Sequence, residues 1–138
     1  MRNKKWVIKK IGNLFYLKTK TPKKKRKNLD YLKYKDQAYS IAKNRLDYFN
    51  QFYNYKWNNI VIRNQKTRWG SCSRKGNLNF NYKIALITKE ASDYIVVHEL
   101  CHLGEFNHSK NFWDLVAKTV PDYKKIRNDL RNNKLRIS

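Results

Sequence analysis

Apolar positions change their spacing along the chain, and each spacing predicts a different element. Residues 6–17 hold two short apolar stretches around a turn signal at Gly12-Asn13, which predicts a β-hairpin. Residues 30–53 place apolar side chains at helical spacing with few helix breakers, which predicts one amphipathic helix. Residues 57–88 break into short β-rich pieces separated by turn residues, which predicts a small antiparallel sheet.

Helical patterns return in the last third of the chain. We expect helices over residues 89–103, 109–119 and 121–133, with Thr88 as the N-cap of the first and Ser109 as the N-cap of the second. Together the elements predict an α+β fold. In it, a small antiparallel sheet packs with the scaffold helix of residues 30–53 and with the helix of residues 89–103.

The chain has the size and composition of one domain, residues 1–138. It is 41% hydrophobic with four Gly and two Pro, which suits a single packed core and argues against a disordered chain. We expect residues 1–28 to form a basic hairpin and connector. Residues 29–138 then contain the long helix, the small sheet and the helices that carry the candidate site.

Positive charge dominates the composition, with 32 Lys and Arg against 10 Asp and Glu and a formal net charge of +22. No acidic residue precedes Asp30, and the connector of residues 18–27 is almost purely basic. Such a field attracts polyanions, so nucleic acid is an expected partner. A solvated charge run, or a composition biased by AT-rich coding sequence, would produce the same excess of lysine.

The hydropathy pattern contains no membrane or secretion signal. No apolar run approaches the roughly 18 to 20 residues that a membrane helix needs, and residues 1–10 lack the apolar stretch of a signal peptide. We therefore expect a cytoplasmic protein with no membrane partner. Cys72 and Cys101 are then expected to be reduced thiols, with Cys101 packed in the core.

The pattern H-E-x-x-H occurs at His98-Glu99-Leu100-Cys101-His102. On a helix, residues four apart lie above one another, so both imidazoles can bind one metal ion. Glu99 flanks that face, where its carboxylate can act as a general base without binding the metal. The third and last histidine of the chain, His108, follows closely. Three neutral imidazoles with a fourth position left open are typical of a catalytic zinc site.

His108 can share the metal only if the helix ends before it, because ten further residues of helix would rise about 15 Å. Gly104 is the expected helix terminator, and Asn107 is expected to help the chain turn back. Two acidic residues stay open as alternative third ligands. Glu105 is close in sequence, and Asp122 has the separation found in proteases whose third ligand is an acid on a following helix.

Four segments of the chain carry a resemblance to a known family: Thr67-Arg68-Trp69-Gly70-Ser71-Cys72, Tyr94-Ile95-Val96-Val97-His98-Glu99-Leu100-Cys101-His102, Asn107-His108-Ser109-Lys110-Asn111-Phe112-Trp113 and Pro121-Asp122-Tyr123. Across residues 63–130 the chain resembles the YgjP-like metallopeptidase family, distant relatives of SprT-like proteases. The resemblance implies a minimal zincin fold, zinc bound by His98, His102 and His108, and a catalytic Glu99. Arg68 and Trp69 are expected to pack beside the helix of residues 89–103, without a catalytic role.

Two functions of different classes follow. The first is a zinc metallopeptidase acting on a protein or peptide, in which Glu99 accepts a proton from the attacking water and passes it to the leaving amine. The substrate is expected to pair with a sheet edge near the metal, and the alternating residues 77–81 are the expected edge strand. The second is a non-enzymatic nucleic-acid-binding module with a structural zinc site, which the net charge suggests and Glu99 disfavours. A nucleic-acid-associated peptidase would combine the two.

Overall fold

The computed structural model describes residues 6–11, 14–19 and 28–134 of the chain. Strands β1 (Trp6–Ile11) and β2 (Leu14–Thr19) pair antiparallel over their full length, so the predicted hairpin is confirmed. The turn at Gly12-Asn13 lies outside the described residues, as do residues 20–27 of the basic connector. The division into residues 1–28 and 29–138 stays a prediction.

The long helix α1 (Leu29–Asn50) begins where the Asn28 side chain accepts a hydrogen bond of 3.0 Å from the Tyr31 amide. It ends three residues before the predicted boundary, in a turn that places Asn54 in the left-handed region with φ 57°. One face of the helix is buried, as the apolar spacing predicts, and carries Ala38, Ala42, Leu46 and Phe49.

Three short strands form the main sheet: β3 (Asn59–Arg63), β4 (Gly70–Cys72) and β5 (Asn77–Asn81). Their spatial order is β3-β5-β4, with β4 and β5 antiparallel and β3 and β5 parallel. The sheet is therefore mixed, and the prediction of a wholly antiparallel sheet is wrong. A tight turn at Gly76, with φ +79°, folds β5 back onto β4. The loop between β3 and β4 then lets β3 run beside β5 in the same direction.

The position of β5 corrects a second expectation. Residues 77–81 form the central strand, where Leu78 and Phe80 are fully buried, and not the edge strand. The strand with the most buried apolar side chains belongs in the middle of the sheet, because neighbours on both sides remove those side chains from water. The edge beside the candidate site is β4, which pairs with β5 alone among the described strands.

A 3₁₀ helix (Tyr82–Leu86), for which the sequence carried no expectation, connects the sheet to α2 (Lys89–Cys101). Helices α3 (Lys110–Thr119) and α4 (Tyr123–Arg131) complete the fold. Thr88 and Ser109 are N-caps as predicted, since their hydroxyls accept hydrogen bonds from backbone amides three residues further on. The helices α2 and α4 are two residues shorter at their C-terminal ends than predicted.

Helix α2 lies at the centre of the core and is buried on most of its surface. This explains why the β-branched run Ile95-Val96-Val97 is helical, because burial on all sides outweighs its strand propensity. The Arg45 guanidinium donates hydrogen bonds of 2.6 and 3.0 Å to the two carboxylate oxygens of Asp93 and so ties α1 to α2. The core therefore holds fixed the helix that carries the H-E-x-x-H pattern.

Candidate metal centre

The structure brings the three histidines together. Helix α2 places His98 and His102 one turn apart, with their Nε2 atoms separated by 3.3 Å. The chain then turns back, and Nε2 of His108 lies 3.2 Å from Nε2 of His98. One ring nitrogen from each histidine lies within 4.8 Å of the other two. The three nitrogen atoms therefore face one point.

The turn after α2 has a different basis from the one predicted. The amides of Gly104 and Glu105 both donate to the Cys101 carbonyl and close the helix. Gly104 is not in the left-handed region, so it does not end the helix through its backbone freedom. A Cβ at this position would contact the Tyr55 hydroxyl and lie 2.7 Å from Tyr55 Cζ. A side chain at this position would have to displace the Tyr55 ring that packs against Gly104.

The donor set fits a tetrahedral zinc ion. With Zn–N bonds of about 2.0–2.1 Å, two ligands of a tetrahedron lie about 3.3 Å apart, which matches both Nε2 separations. Nδ1 of His102 lies 3.0 Å from the backbone oxygen of Glu105, which can only accept, so Nδ1 carries the proton and Nε2 is left with its lone pair. The Tyr94 hydroxyl lies 3.4 Å from Nδ1 of His98 and can accept the proton of that nitrogen, which leaves Nε2 of His98 with its lone pair.

Aromatic residues of α3 form the floor of the cluster. The fully buried ring of Phe112 contacts all three imidazoles, with ring centroids 4.9, 4.4 and 5.0 Å from those of His98, His102 and His108. Trp113 stacks on His108 at 5.8 Å. The sequence alone assigned Phe112 no role at the site. Its place four residues after His108, on the next helix, is the one signal that links it to the site.

Burial favours the neutral form of two imidazoles, those of His98 and His102. It lowers the pKa of His98 to about 3, and the nearby His102, His108 and Arg127 act in the same direction. Burial also lowers the pKa of His102, chiefly against the effect of its hydrogen bond to Glu105. A neutral imidazole is the form that binds a metal ion, so the environment favours ligation over protonation.

Glu99 lies against the edge strand β4, in the cavity that the three histidines also line. Its side chain is 6% exposed, and burial raises its pKa to about 8, with the Arg68 guanidinium acting in the opposite direction. A Cβ at Gly70 would lie 2.8 Å from Glu99 Cγ and 2.9 Å from Glu99 Oε1. The absence of a side chain at Gly70 therefore lets the carboxyl group pack against the strand.

A cavity of about 270 Å³ opens over the cluster, lined by the three histidines, Glu99 and the strand residues Gly70, Ser71 and Cys72. Cys72 is a free thiol in its wall, and Cys101 is a free thiol that is fully buried in the core, as predicted. The two carboxylates that stood as alternative ligands, those of Glu105 and Asp122, are not part of the histidine cluster.

Two expectations from composition stay predictions. No contact of the described residues bears on nucleic-acid binding, and most of the basic connector lies outside them. Across the described ranges, none of the helices has the length and apolar character needed to cross a membrane.

Comparison with known proteins identifies the class of this fold and site. Residues 2–133 match the family model described as YgjP-like, metallopeptidase domain. The chain therefore belongs to the YgjP-like metallopeptidase family, and the α+β zincin-like fold predicted from the sequence is confirmed. No match was found among curated proteins.

Two crystal structures of metallopeptidase zymogens resemble the chain. Abylysin from Pyrococcus abyssi is 25% identical, with a TM-score of 0.61 over 70% of this chain and 99% of that one. Jannalysin from Methanocaldococcus jannaschii is 20% identical, with a TM-score of 0.54 over 70% of this chain and 95% of that one, and supports the fold alone.

Proposed function

We propose that the protein is a zinc-dependent metallopeptidase in which His98, His102 and His108 hold the metal and Glu99 is the general base. The observation that carries the proposal is the convergence of three Nε2 atoms, 3.2 and 3.3 Å apart, beside a buried carboxyl group. That arrangement occurs in a chain of a metallopeptidase family.

Zinc is the metal that this donor set favours. Imidazole nitrogen is a preferred zinc ligand, and three such ligands leave one position open to the cavity, which is typical of catalytic rather than structural sites. A zinc ion bound there would polarise the scissile carbonyl group and lower the pKa of a water molecule. The ring floor of Phe112 and the Glu105 carbonyl would hold the imidazoles in the orientation that ligation needs.

Glu99 is suited to proton transfer. Its carboxyl group lines the same cavity as the histidines, and no hydrogen bond joins it to another group within the described residues. It is therefore free to accept a proton from the attacking water. Burial raises the pKa of Glu99 to about 8, and the positive charge of a zinc ion bound beside it would favour the carboxylate form that accepts the proton.

The edge strand β4 is the proposed site of the peptide backbone. Its residues Gly70, Ser71 and Cys72 line the cavity over the histidines, and its pairing with β5 occupies only one side of the strand. An extended peptide can add to the other side through main-chain hydrogen bonds. That position would bring a scissile bond over the three ring nitrogen atoms.

The test of this function measures metal content and hydrolysis together. We expect the full chain to bind one zinc ion and to cleave an unfolded protein, and to lose both properties after chelation. Zinc binding without hydrolysis of any protein or peptide would contradict the proposal and favour the structural zinc site of the alternative function.

Replacing Gly70 by Ala should impair hydrolysis without removing the metal. The new Cβ would lie 2.8 Å from Glu99 Cγ, so the carboxyl group must move, and a displacement of about 1 Å can cost about 100-fold in rate. The three atoms nearest to the new Cβ belong to Glu99 and Asn79, and none belongs to a histidine. We expect kcat to fall by about tenfold to 100-fold with unchanged zinc content, as measured by turnover and elemental analysis.

A double variant tests whether Gly70 acts through Glu99. If it does, Gly70→Ala should slow a Glu99→Gln protein little further, because the group it displaces is already inactive. Additive losses would mean that Gly70→Ala disturbs the sheet instead, through the Asn79 carbonyl that lies 2.9 Å from the same Cβ.

A further inference from the structure

A second cavity, the cationic cavity, is lined by basic side chains and lies near the metal centre. It has a volume of about 150 Å³, and its lining includes Lys66, Arg68, Lys83, Asn81 and Trp69. Four segments enclose it: the loop between β3 and β4, the end of β5, the 3₁₀ helix and the end of α4 with the residues that follow. Neither the sequence motifs nor the proposed catalytic residues account for it.

This cationic cavity is connected to the metal centre through shared residues. Arg68 and Trp69 also line a cavity of about 210 Å³ that reaches Glu99 and His98. Arg68 lines the cavity over the three histidines as well. Arg68 therefore borders all three cavities, which places the cationic cavity next to the metal centre.

The two lysines of the cavity, Lys66 and Lys83, have no acidic partner within the described residues. All ten acidic residues of the chain lie among the described residues, and none of them lines this cavity. The ion pairs found within the described ranges use other lysines and arginines, namely Lys43, Arg45, Lys89, Lys110 and Lys125. The positive charge of Lys66 and Lys83 is thus available to a ligand, whereas Arg68 lies between this cavity and the carboxyl group of Glu99.

The buried side chain of Asn81, 3% exposed, fixes both walls of the cavity. Its Nδ2 donates to the backbone oxygens of Gln65 and Arg68 at 2.7 and 3.1 Å, and its Oδ1 accepts from the Lys83 amide at 3.1 Å. Its own amide donates to the Trp69 carbonyl at 2.8 Å. One side chain therefore holds the backbone that carries the cations, so the cavity is formed before a ligand arrives.

We propose that the cationic cavity is a substrate subsite that binds a carboxylate side chain of the peptide, so that the protein prefers Asp or Glu near the scissile bond. This inference rests on the proposed function. The cavity is concave and has the size of a side chain, and Trp69 and Leu130 supply apolar surface for the methylene groups of a glutamate. Because Arg68 also borders the cavity over the histidines, a side chain of a peptide bound at the metal centre lies within reach of this subsite.

The experiment compares peptides that differ only in Glu against Gln at each position around the cleaved bond. For the wild-type chain, kcat/KM should be about tenfold higher for Glu at one position, because a charged acceptor would be replaced by a neutral one. The double variant Lys66→Gln/Lys83→Gln should bring this ratio close to one. The matched control Lys43→Gln/Lys89→Gln removes the same charge from residues that line none of the three cavities and should keep the ratio.

Peptide binding supplies a second readout that does not need turnover. Fluorescence anisotropy with the full-length Glu99→Gln protein should show the same preference for Glu, reduced by Lys66→Gln/Lys83→Gln and by rising salt. Cleavage of both peptides at equal rates, with equal binding, would overturn the subsite and leave the proposed function standing. A preference for Glu in binding, without hydrolysis of any peptide, would contradict the proposed function and support the subsite. Loss of oligonucleotide binding in the lysine variant, with no peptide preference, would assign the cavity to nucleic acid and overturn the proposal.

Discussion

Glu99→Gln should reduce hydrolysis of an unfolded protein by about 10² to 10⁴-fold while zinc content stays that of the wild type, because a positioned general base contributes that much to the rate. The substitution keeps the size of the side chain and leaves all three imidazoles in place. It removes the group that would take a proton from the attacking water. Turnover and elemental analysis on the same preparation measure the two quantities.

Glu90→Gln is the matched control for this variant. Glu90 is an exposed residue in the first turn of the same helix, and it lines none of the three cavities. Its loss should leave turnover unchanged. A Glu99→Gln protein as active as wild type would rule out Glu99 as the base, whereas loss of zinc in that protein would point to a structural role in the metal centre.

His108→Ala should weaken zinc binding by more than about 100-fold, which exceeds the effect usual for residues that only support a ligand. The side chain of His108 is exposed, so its removal should change the free energy of unfolding of the zinc-free protein little. Competition with a chromophoric chelator measures the affinity. Thermal unfolding of the zinc-free protein measures the stability.

The same measurement decides between the candidate third ligands. Glu105→Ala and Asp122→Ala should retain zinc, because neither carboxylate belongs to the histidine cluster. Retention of zinc by His108→Ala, together with its loss from Asp122→Ala, would transfer the third position to the acid. The side chain of Glu105 is a useful internal control, since its backbone oxygen, and not its carboxylate, contacts His102.

The proposed mechanism and the cationic cavity meet at the loop between β3 and β4. Arg68 precedes Gly70 by two residues, and the two positions face the carboxyl group of Glu99 from the same side. Since Asn81 holds the carbonyl of Arg68, one buried side chain in the central strand positions both the wall beside Glu99 and the cations beyond it. Substrate selection and catalysis would then depend on the same short loop.

Patterns between neighbours in the sequence predicted much of the structure. The spacing of His98 and His102 placed both rings on one face, and the hydroxyls of Thr88 and Ser109 marked the starts of α2 and α3. Helical periodicity identified the buried face of α1. These predictions are correct because they depend on interactions within about four residues, which the order of residues in the chain specifies.

Strand order could not be predicted in the same way. The alternation in residues 77–81 identified a strand but not its neighbours, and it suggested an edge where the structure has the centre. The parallel pairing of β3 with β5 depends on how a loop and a turn place distant segments. The alternation of polar and apolar residues indicates which side chains are buried, but it does not indicate which strand lies alongside.

The sequence by itself determined the class of the fold, the family resemblance and the histidines that share a face. Only the tertiary structure decided which groups surround them: Gly70 against Glu99, Phe112 beneath the three imidazoles, and Asn81 behind the cations of a connected cavity. Gly70 and Glu99 are far apart in the chain, and no local pattern relates them. The hydrophobic effect requires that apolar side chains be buried but has no direction, so the partner that each one meets is settled by close packing of the whole domain.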